Sequence, residues 1–176
     1  MIIGNGDIAS VLTDRVDVIY FASGVSNSSC TDWHEFQRER DLLLKQNKFQ
    51  HLVYFSSLSI YYVKTPYTNH KRIMENLVKD NFATSTIVRL GNITWGDNPN
   101  TLINYLKNKI KNKEPYEVRD VYRYVINKEE FQHWVGMIPD WTTEMNITGK
   151  KVNVSYIEEK LKEQEAIGFK TRNFEL

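Results

Sequence analysis

Cysteine is almost absent. Cys30 is the one thiol in 176 residues, so no internal disulfide can form. Long apolar runs are missing too, and nothing approaches the roughly 20 residues of a membrane-spanning helix. The Met-Ile-Ile-Gly start has no basic segment followed by a long apolar stretch, so no secretion signal is expected. These absences predict a cytoplasmic chain with no membrane partner. They leave the Asn-x-Ser/Thr sequons at Asn27, Asn92, Asn146 and Asn153 as chance matches. An excess of either charge is also lacking: 23 Lys and Arg stand against 22 Asp and Glu, a formal net charge of +1. Such a balance gives no case for a nucleic-acid partner, and the Lys107–Lys113 cluster reads as the polar face of a helix. His34, His51, His70 and His133 have no ligand-like spacing, so no metal site is expected. Repeats and low-complexity linkers are absent. The 41% hydrophobic and 26% charged residues are ordinary for a globular chain and predict a single domain over residues 1–176.

The elements alternate in type. Met1–Ile3 reads as a very short strand, followed by Gly4-Asn5-Gly6-Asp7-Ile8-Ala9 and a helix to about Thr13. Val16–Ala22, His51–Ser56 and Ser85–Leu90 are continuous apolar runs of the kind covered on both faces of a sheet. Thr31 or Asp32 can cap a helix to about Gln46, with Trp33, Phe36 and Leu42–Leu44 on its apolar face. A helix is predicted over Tyr67–Asp80 with Ile73, Leu77 and Val78 inward, and another over Thr101–Asn112. Arg123–Ile126 is predicted as a strand, and Lys128–Ile138 as a helix with Phe131, Trp134 and Val135 on one face. Met145–Thr148 is predicted extended and Tyr156–Glu165 helical. Trp33, Trp95, Trp134 and Trp141 are assigned to packing. The alternation predicts an α/β fold: a Rossmann-like, doubly wound, mostly parallel sheet, with ligands beyond the carboxyl ends of the strands.

Gly4-x-Gly6-x-x-Ala9 lies where a strand gives way to a helix. The first glycine permits a tight turn, the second lets the backbone approach a pyrophosphate, and the small third residue lets the helix pack on the strand. The acidic residue that should end a second strand is missing, because the next strand starts at about Val16. Further on, Ser57 ends a strand, and Tyr67 and Lys71 stand at i and i+4 on one helical face. An ammonium beside a phenol favours its ionised form, and a serine hydroxyl can bond a substrate oxygen. Together they make a proton relay for interconverting an alcohol and a ketone.

These residues resemble the extended short-chain dehydrogenase/reductases, the NAD-dependent epimerase/dehydratase family acting on nucleotide sugars. GNGDIA resembles the family's glycine loop, FSSLSIY its serine segment, YTNHKRIME its Tyr-x-x-x-Lys helix, and STIVRLGNITWG the strand and loop at the nicotinamide. VDVIYFASGVSNS resembles the strand and loop that pass the cofactor, and NITGKKVNVSYIEEKL the lead into the C-terminal region.

The resemblance implies that Tyr67 is the general acid/base, that Lys71 holds the nicotinamide ribose and tunes Tyr67, and that Ser57 orients the substrate oxygen. It further implies NAD or NADP as cofactor. Gly4, Asn5, Gly6, Asp7, Ile8 and Ala9 would line the pyrophosphate, Ala22, Ser23 and Gly24 the cofactor's other edge, and Leu90, Gly91 and Asn92 the nicotinamide end. The expected activity is an NAD(P)-dependent oxidoreductase or epimerase/dehydratase acting on a hydroxyl or keto group of a nucleotide sugar or related small molecule.

Three departures stand beside this. The second and third strands of the family are missing, the Ser57–Tyr67 interval is short, and residues from about 115 to 176 form an abbreviated substrate-side region. The missing strands expose the first one as an edge, which leaves room for a homodimer. They also keep an alternative open: a trimmed nucleotide- or partner-binding module without redox activity. Ser26 and Asn27 could contact ligand or form a solvated turn. Arg119, Arg123 and Lys128 fall near where the family binds a nucleotide diphosphate. Cys30 is read as a bystander thiol.

Overall fold

The computed structural model describes residues 1–168 and Phe174. The chain enters β1 (Ile2–Ile3), makes one 3-10 turn over Ala9–Val11, and continues into β2 (Val18–Phe21). Helix α1 (Trp33–Leu44) leads to β3 (His51–Ser57), and α2 (Pro66–Asn81) to β4 (Ser85–Leu90). An excursion follows: β5 (Asn92–Ile93), α3 (Leu102–Asn112), β6 (Tyr122–Ile126) and α4 (Lys128–Gly136). The chain then returns through β7 (Thr143–Ile147), β8 (Lys150–Asn153) and α5 (Val154–Ala166).

Five strands form one sheet in the order β1-β2-β3-β4-β7, with every pairing parallel. A second sheet, β5-β6-β8, takes the remaining strands, with β6 and β8 antiparallel. β2 and β4 are buried throughout, as expected of strands covered on both sides. One face packs Ile19, Phe21, Leu52, Tyr54 and Ile87 against α1 and α2 through Leu43, Met74 and Val78. The other packs Tyr20, Val53, Phe55 and Val88 against α4 through Phe131 and Val135. Each such large side chain contributes about 1.5–3 kcal/mol on burial. A third cluster joins α3, α5 and the small sheet.

Local chemistry fixes the helix starts. Asp32 caps α1 by accepting from His34 N–H, and Thr65 caps α2 in a reciprocal box with Thr68, with Pro66 in the first turn. Thr101 and Asn127 cap α3 and α4 by accepting from Asn104 N–H and Glu130 N–H.

Several expectations need correction. The helix expected after the glycine turn is only the three-residue 3-10 turn Ala9–Val11. A helical crossover between parallel strands needs roughly a dozen residues or more, and the run between Ile3 and Val18 must also return to the far end of the sheet. β2 starts at Val18, two residues after the predicted Val16, which stands 91% exposed. Ile73 does not face inward, being 56% exposed, and Trp33 and Trp134 are also on the surface. The α2 face that meets the sheet carries Tyr67, His70, Lys71, Met74, Glu75 and Val78, so its buried stripe is largely polar and the apolar residues misled the helical phase. Of the four tryptophans only Trp95 packs inside, and Trp141 is exposed. β8, which the sequence did not mark as a strand, completes the small sheet, while β7 completes the main one.

Candidate functional site

A cleft of about 1140 Å³ opens beyond the carboxyl ends of β2, β3 and β4. It collects Asn5, Gly6, Asp7 and Ile8 from the first turn, Ala22, Ser23 and Gly24 after β2, and Ser57 at the end of β3. Tyr67 and Lys71 join from α2, and Leu90, Gly91 and Asn92 from the β4–β5 junction. Ser26 and Asn27 line it, as do Arg119 and Arg123, whereas Lys128 does not. Gly4 and Ala9 lie outside the lining: Ala9 is buried behind it, and Gly4 shapes the turn. At Gly4 φ is +122°, and a Cβ would meet the Ala22 backbone carbon at 2.7 Å, so only glycine lets β1 turn this close to β2. Gly6 has nothing within 4 Å of its Cβ position, so space at this point of the cleft is open.

Asp7 is already engaged. Its carboxylate accepts from the backbone N–H groups of Asp97 and Asn98, each at 3.1 Å, and its carbonyl accepts from Trp95 Nε1 at 3.0 Å. These bonds fasten the glycine turn to the loop after β5. Gly96, at φ +86°, leaves the room: a Cβ there would collide with the Asp7 carboxylate.

Ser57 ends β3 and caps the next 3-10 turn, Leu58–Tyr61. Its Oγ accepts from Ser59 N–H at 3.2 Å and lies 2.8 Å from Ser59 Oγ. The neighbouring Ser56 Oγ, also on the cleft wall, is buried and has no hydrogen-bond partner among the described residues. Tyr67 packs with Val25 and Phe36, beside partly buried Cys30, and nothing among the described residues hydrogen-bonds its hydroxyl.

Lys71 is held by buried partners. Its Nζ donates to Glu39 Oε1 at 3.0 Å and to Tyr54 Oη at 3.1 Å, and lies 5.7 Å from the Tyr67 ring centre. Glu39 is fully buried and four groups serve it: Lys71, Tyr54 Oη at 2.6 Å, His70 Nε2 at 3.0 Å and the Val25 N–H at 2.7 Å. Burial alone would raise its carboxyl, but the Lys71 charge and then the hydrogen bonds hold it down at about 2. Burial first, and the Glu39 charge next, push the Tyr54 phenol well up. Gly24 makes space for this pair, since a Cβ there would stand 2.6 Å from Lys71 Nζ and 3.0 Å from Glu39 Oε1. Arg89, on β4, is a second buried cation. It donates to both Glu75 oxygens, at 2.9 and 2.6 Å, and to Tyr61 Oη at 2.8 Å. Those bonds raise its guanidinium further.

Sequence reasoning missed Glu39, Tyr54 and Ser56. A signal for Glu39 was present: Phe36, Glu39 and Leu43 recur at i, i+3 and i+7, so the carboxylate rides on the buried stripe of α1.

No family model matches the sequence, and no curated protein matches it. Solved structures do resemble it in shape. The Bordetella bronchiseptica enzyme WbmG, in complex with NAD and UDP, superposes with a TM-score of 0.66 at 14% identity, covering 86% of this chain and 56% of its own. UDP-glucuronic acid 4-epimerase from Bacillus cereus, in complex with NAD, gives 0.64 at 16% identity, covering 92% of this chain and 63% of its own. The Thermus thermophilus UDP-glucose 4-epimerase complex with NAD gives 0.63 at 13% identity, with 86% and 62% covered. The chain thus spans 56% to 63% of the length of these structures. The likeness establishes the fold: a shortened, Rossmann-like, doubly wound α/β sheet of the kind these structures have.

Proposed function

We propose that the cleft binds NAD and that the protein is an epimerase- or dehydrogenase-type enzyme acting on a hydroxyl of a nucleotide sugar or related small molecule. The observation that carries this is the meeting, in one cleft at the carboxyl ends of a parallel sheet, of Ser57, Tyr67, the glycine turn and the Leu90–Asn92 segment. The solved structures with the same fold, in complex with NAD and in one case UDP, support the reading.

The residues fit the central parts of such a cofactor. The open space at Gly6 leaves room for a diphosphate, and the unpartnered Ser56 hydroxyl offers a polar group in the wall. Leu90, Gly91 and Asn92 would hold the nicotinamide end. On the adenosine side no strand pairs with the outer edge of β1 among the described residues, so that half of the ligand finds less protein to meet. When bound, the nicotinamide supplies the hydride acceptor or donor.

In this reading Ser57 Oγ, already poised by Ser59, orients the substrate oxygen. The Tyr67 hydroxyl, free of protein partners among the described residues, gives or takes the proton at that oxygen. Lys71 carries positive charge beside the Tyr67 ring, and Glu39 fixes its position. Titration of intrinsic fluorescence with NADH and NADPH tests the binding. Saturable quenching by either supports the reading, and none at millimolar concentration removes its redox part.

A second reading has one observation behind it. Lys71 is committed to Glu39 and Tyr54 instead of being free for a ribose, which suits a nucleotide-binding module without redox activity. The Tyr67→Phe variant separates the two. An enzyme loses its turnover with nucleotide binding kept, and a binding module loses nothing.

A further inference from the structure

The glycine turn lacks the element that makes such a turn an anion site. A helix opening after the turn presents unpaired N–H groups and the positive end of its dipole. Here only the 3-10 turn Ala9–Val11 follows, and Asp7 sets a carboxylate into the turn. A diphosphate lying at this end therefore needs a cation from elsewhere. Among the described residues four basic side chains line the cleft: Arg38, Lys71, Arg119 and Arg123. Lys71 is taken up by buried Glu39. Arg119 and Arg123 belong to the wall carried by the small sheet, where Arg123 lies 5.2 Å from the Tyr62 ring centre.

Arg38 alone adjoins the glycine turn. Its Nη1 donates to Ser23 O at 3.2 Å and lies 3.4 Å from Ser23 Oγ. Ser23 in turn abuts Gly4, whose Cβ position is 3.0 Å from Ser23 N. Glu35 Oε2 accepts from Arg38 Nε at 3.1 Å and steadies the plane of the guanidinium. The other terminal nitrogen, Nη2, makes no hydrogen bond among the described residues. A planar fork with a free donor beside an open glycine turn suits the oxygens of a phosphate, which accept paired N–H bonds.

We propose that Arg38 is a phosphate-binding residue of the cleft, its guanidinium standing in for the missing helix N-terminus and gripping the diphosphate of a nucleotide laid against Gly6. This rests on the reading that the cleft takes a dinucleotide. The anion itself is a nucleoside diphosphate, free or within NAD, so calorimetric titrations of the full chain with NAD and with ADP separate the two claims.

In the wild type, binding of both is expected, and Arg38→Ala weakens each by about ten-fold or more. Arg38→Lys restores part of the ADP affinity, and the salt dependence of binding is shallower in Arg38→Ala than in the wild type. Arg38 lies on the half-exposed side of α1, so its melting temperature should match the wild type. Arg38→Ala binding every ligand of the wild type with unchanged affinity overturns the inference. A wild type that binds ADP but not NAD removes the dinucleotide reading, and the inference then stands or falls on the loss of ADP binding in Arg38→Ala. A wild type that binds neither overturns both.

Discussion

The two ends of the cleft are built differently. The Ser57–Tyr67 end rests on interior strands, with β3 paired on both sides and α2 carrying buried charges matched by buried partners. The glycine-turn end rests on β1, a two-residue edge strand, and a single 3-10 turn, held by Asp7. The first end is framed by the core and by ion pairs that cannot be separated cheaply. The second depends on a few backbone contacts and on glycine. The Ser57–Tyr67 end is thus secured where the sheet is deepest, while the glycine-turn end rests on little.

Disrupting the deep end should have the largest effect. Glu39→Ala strands the buried Lys71 charge and should cost about 3–5 kcal/mol, read from urea unfolding followed by circular dichroism. A loss below about 1 kcal/mol would mean the two ends are equally lightly built. The same carboxylate gives a pH signature. Its folded value is depressed to about 2 from an ordinary 4.5, so the stability it contributes is complete above the ordinary value and is lost as pH falls toward 2. Glu39→Gln should flatten acid unfolding over that window. An identical acid profile would show that the carboxylate is not ionised in the fold.

At the shallow end, Gly4→Ala forces a Cβ into the Ala22 backbone at positive φ and should cost about 1–3 kcal/mol. Its thermal melt should therefore fall between those of Glu39→Ala and the wild type. The smallest effect belongs to Gly6→Ala. Its Cβ position is open, so stability should change by no more than about 0.5 kcal/mol. If the cleft takes a nucleotide as proposed, its affinity should nevertheless fall, because the added methyl enters the open space at the turn. A Gly6→Ala protein that is stable and binds as the wild type does would move the ligand away from the turn.

Much of the sheet was legible. Continuous β-branched and aromatic runs marked β2, β3 and β4, and the Thr31 or Asp32 cap marked the start of α1. The cleft lining at Ser57, Tyr67, Ala22–Gly24 and Leu90–Asn92 was legible because ligand-facing loops follow strand ends. What escaped was polarity hidden in the core. Glu39, His70, Lys71, Glu75 and Arg89 look like surface residues, and only pairing, of Glu39 with His70 and Lys71 and of Glu75 with Arg89, makes burial tolerable. The Glu39 pairs join residues 31 and 32 positions apart, beyond any local pattern. The same blindness put Ile73 inside. The separation of β5, β6 and β8 into their own sheet was equally unreadable, since partners there are set by tertiary packing and not by strand propensity.

The late return of β7 to β4 has a consequence for the integrity of the chain. Everything between the two strands, residues 91 to 142, is a loop whose base is closed by a parallel ladder from Thr86 through Leu90 to Thr143 through Ile147. A protease that nicks the exposed stretch just after α3, at Lys113 and Glu114, would leave each fragment holding strands of both sheets. The cut protein should stay joined as a non-covalent complex, and two separately made halves broken at that point should find one another when mixed.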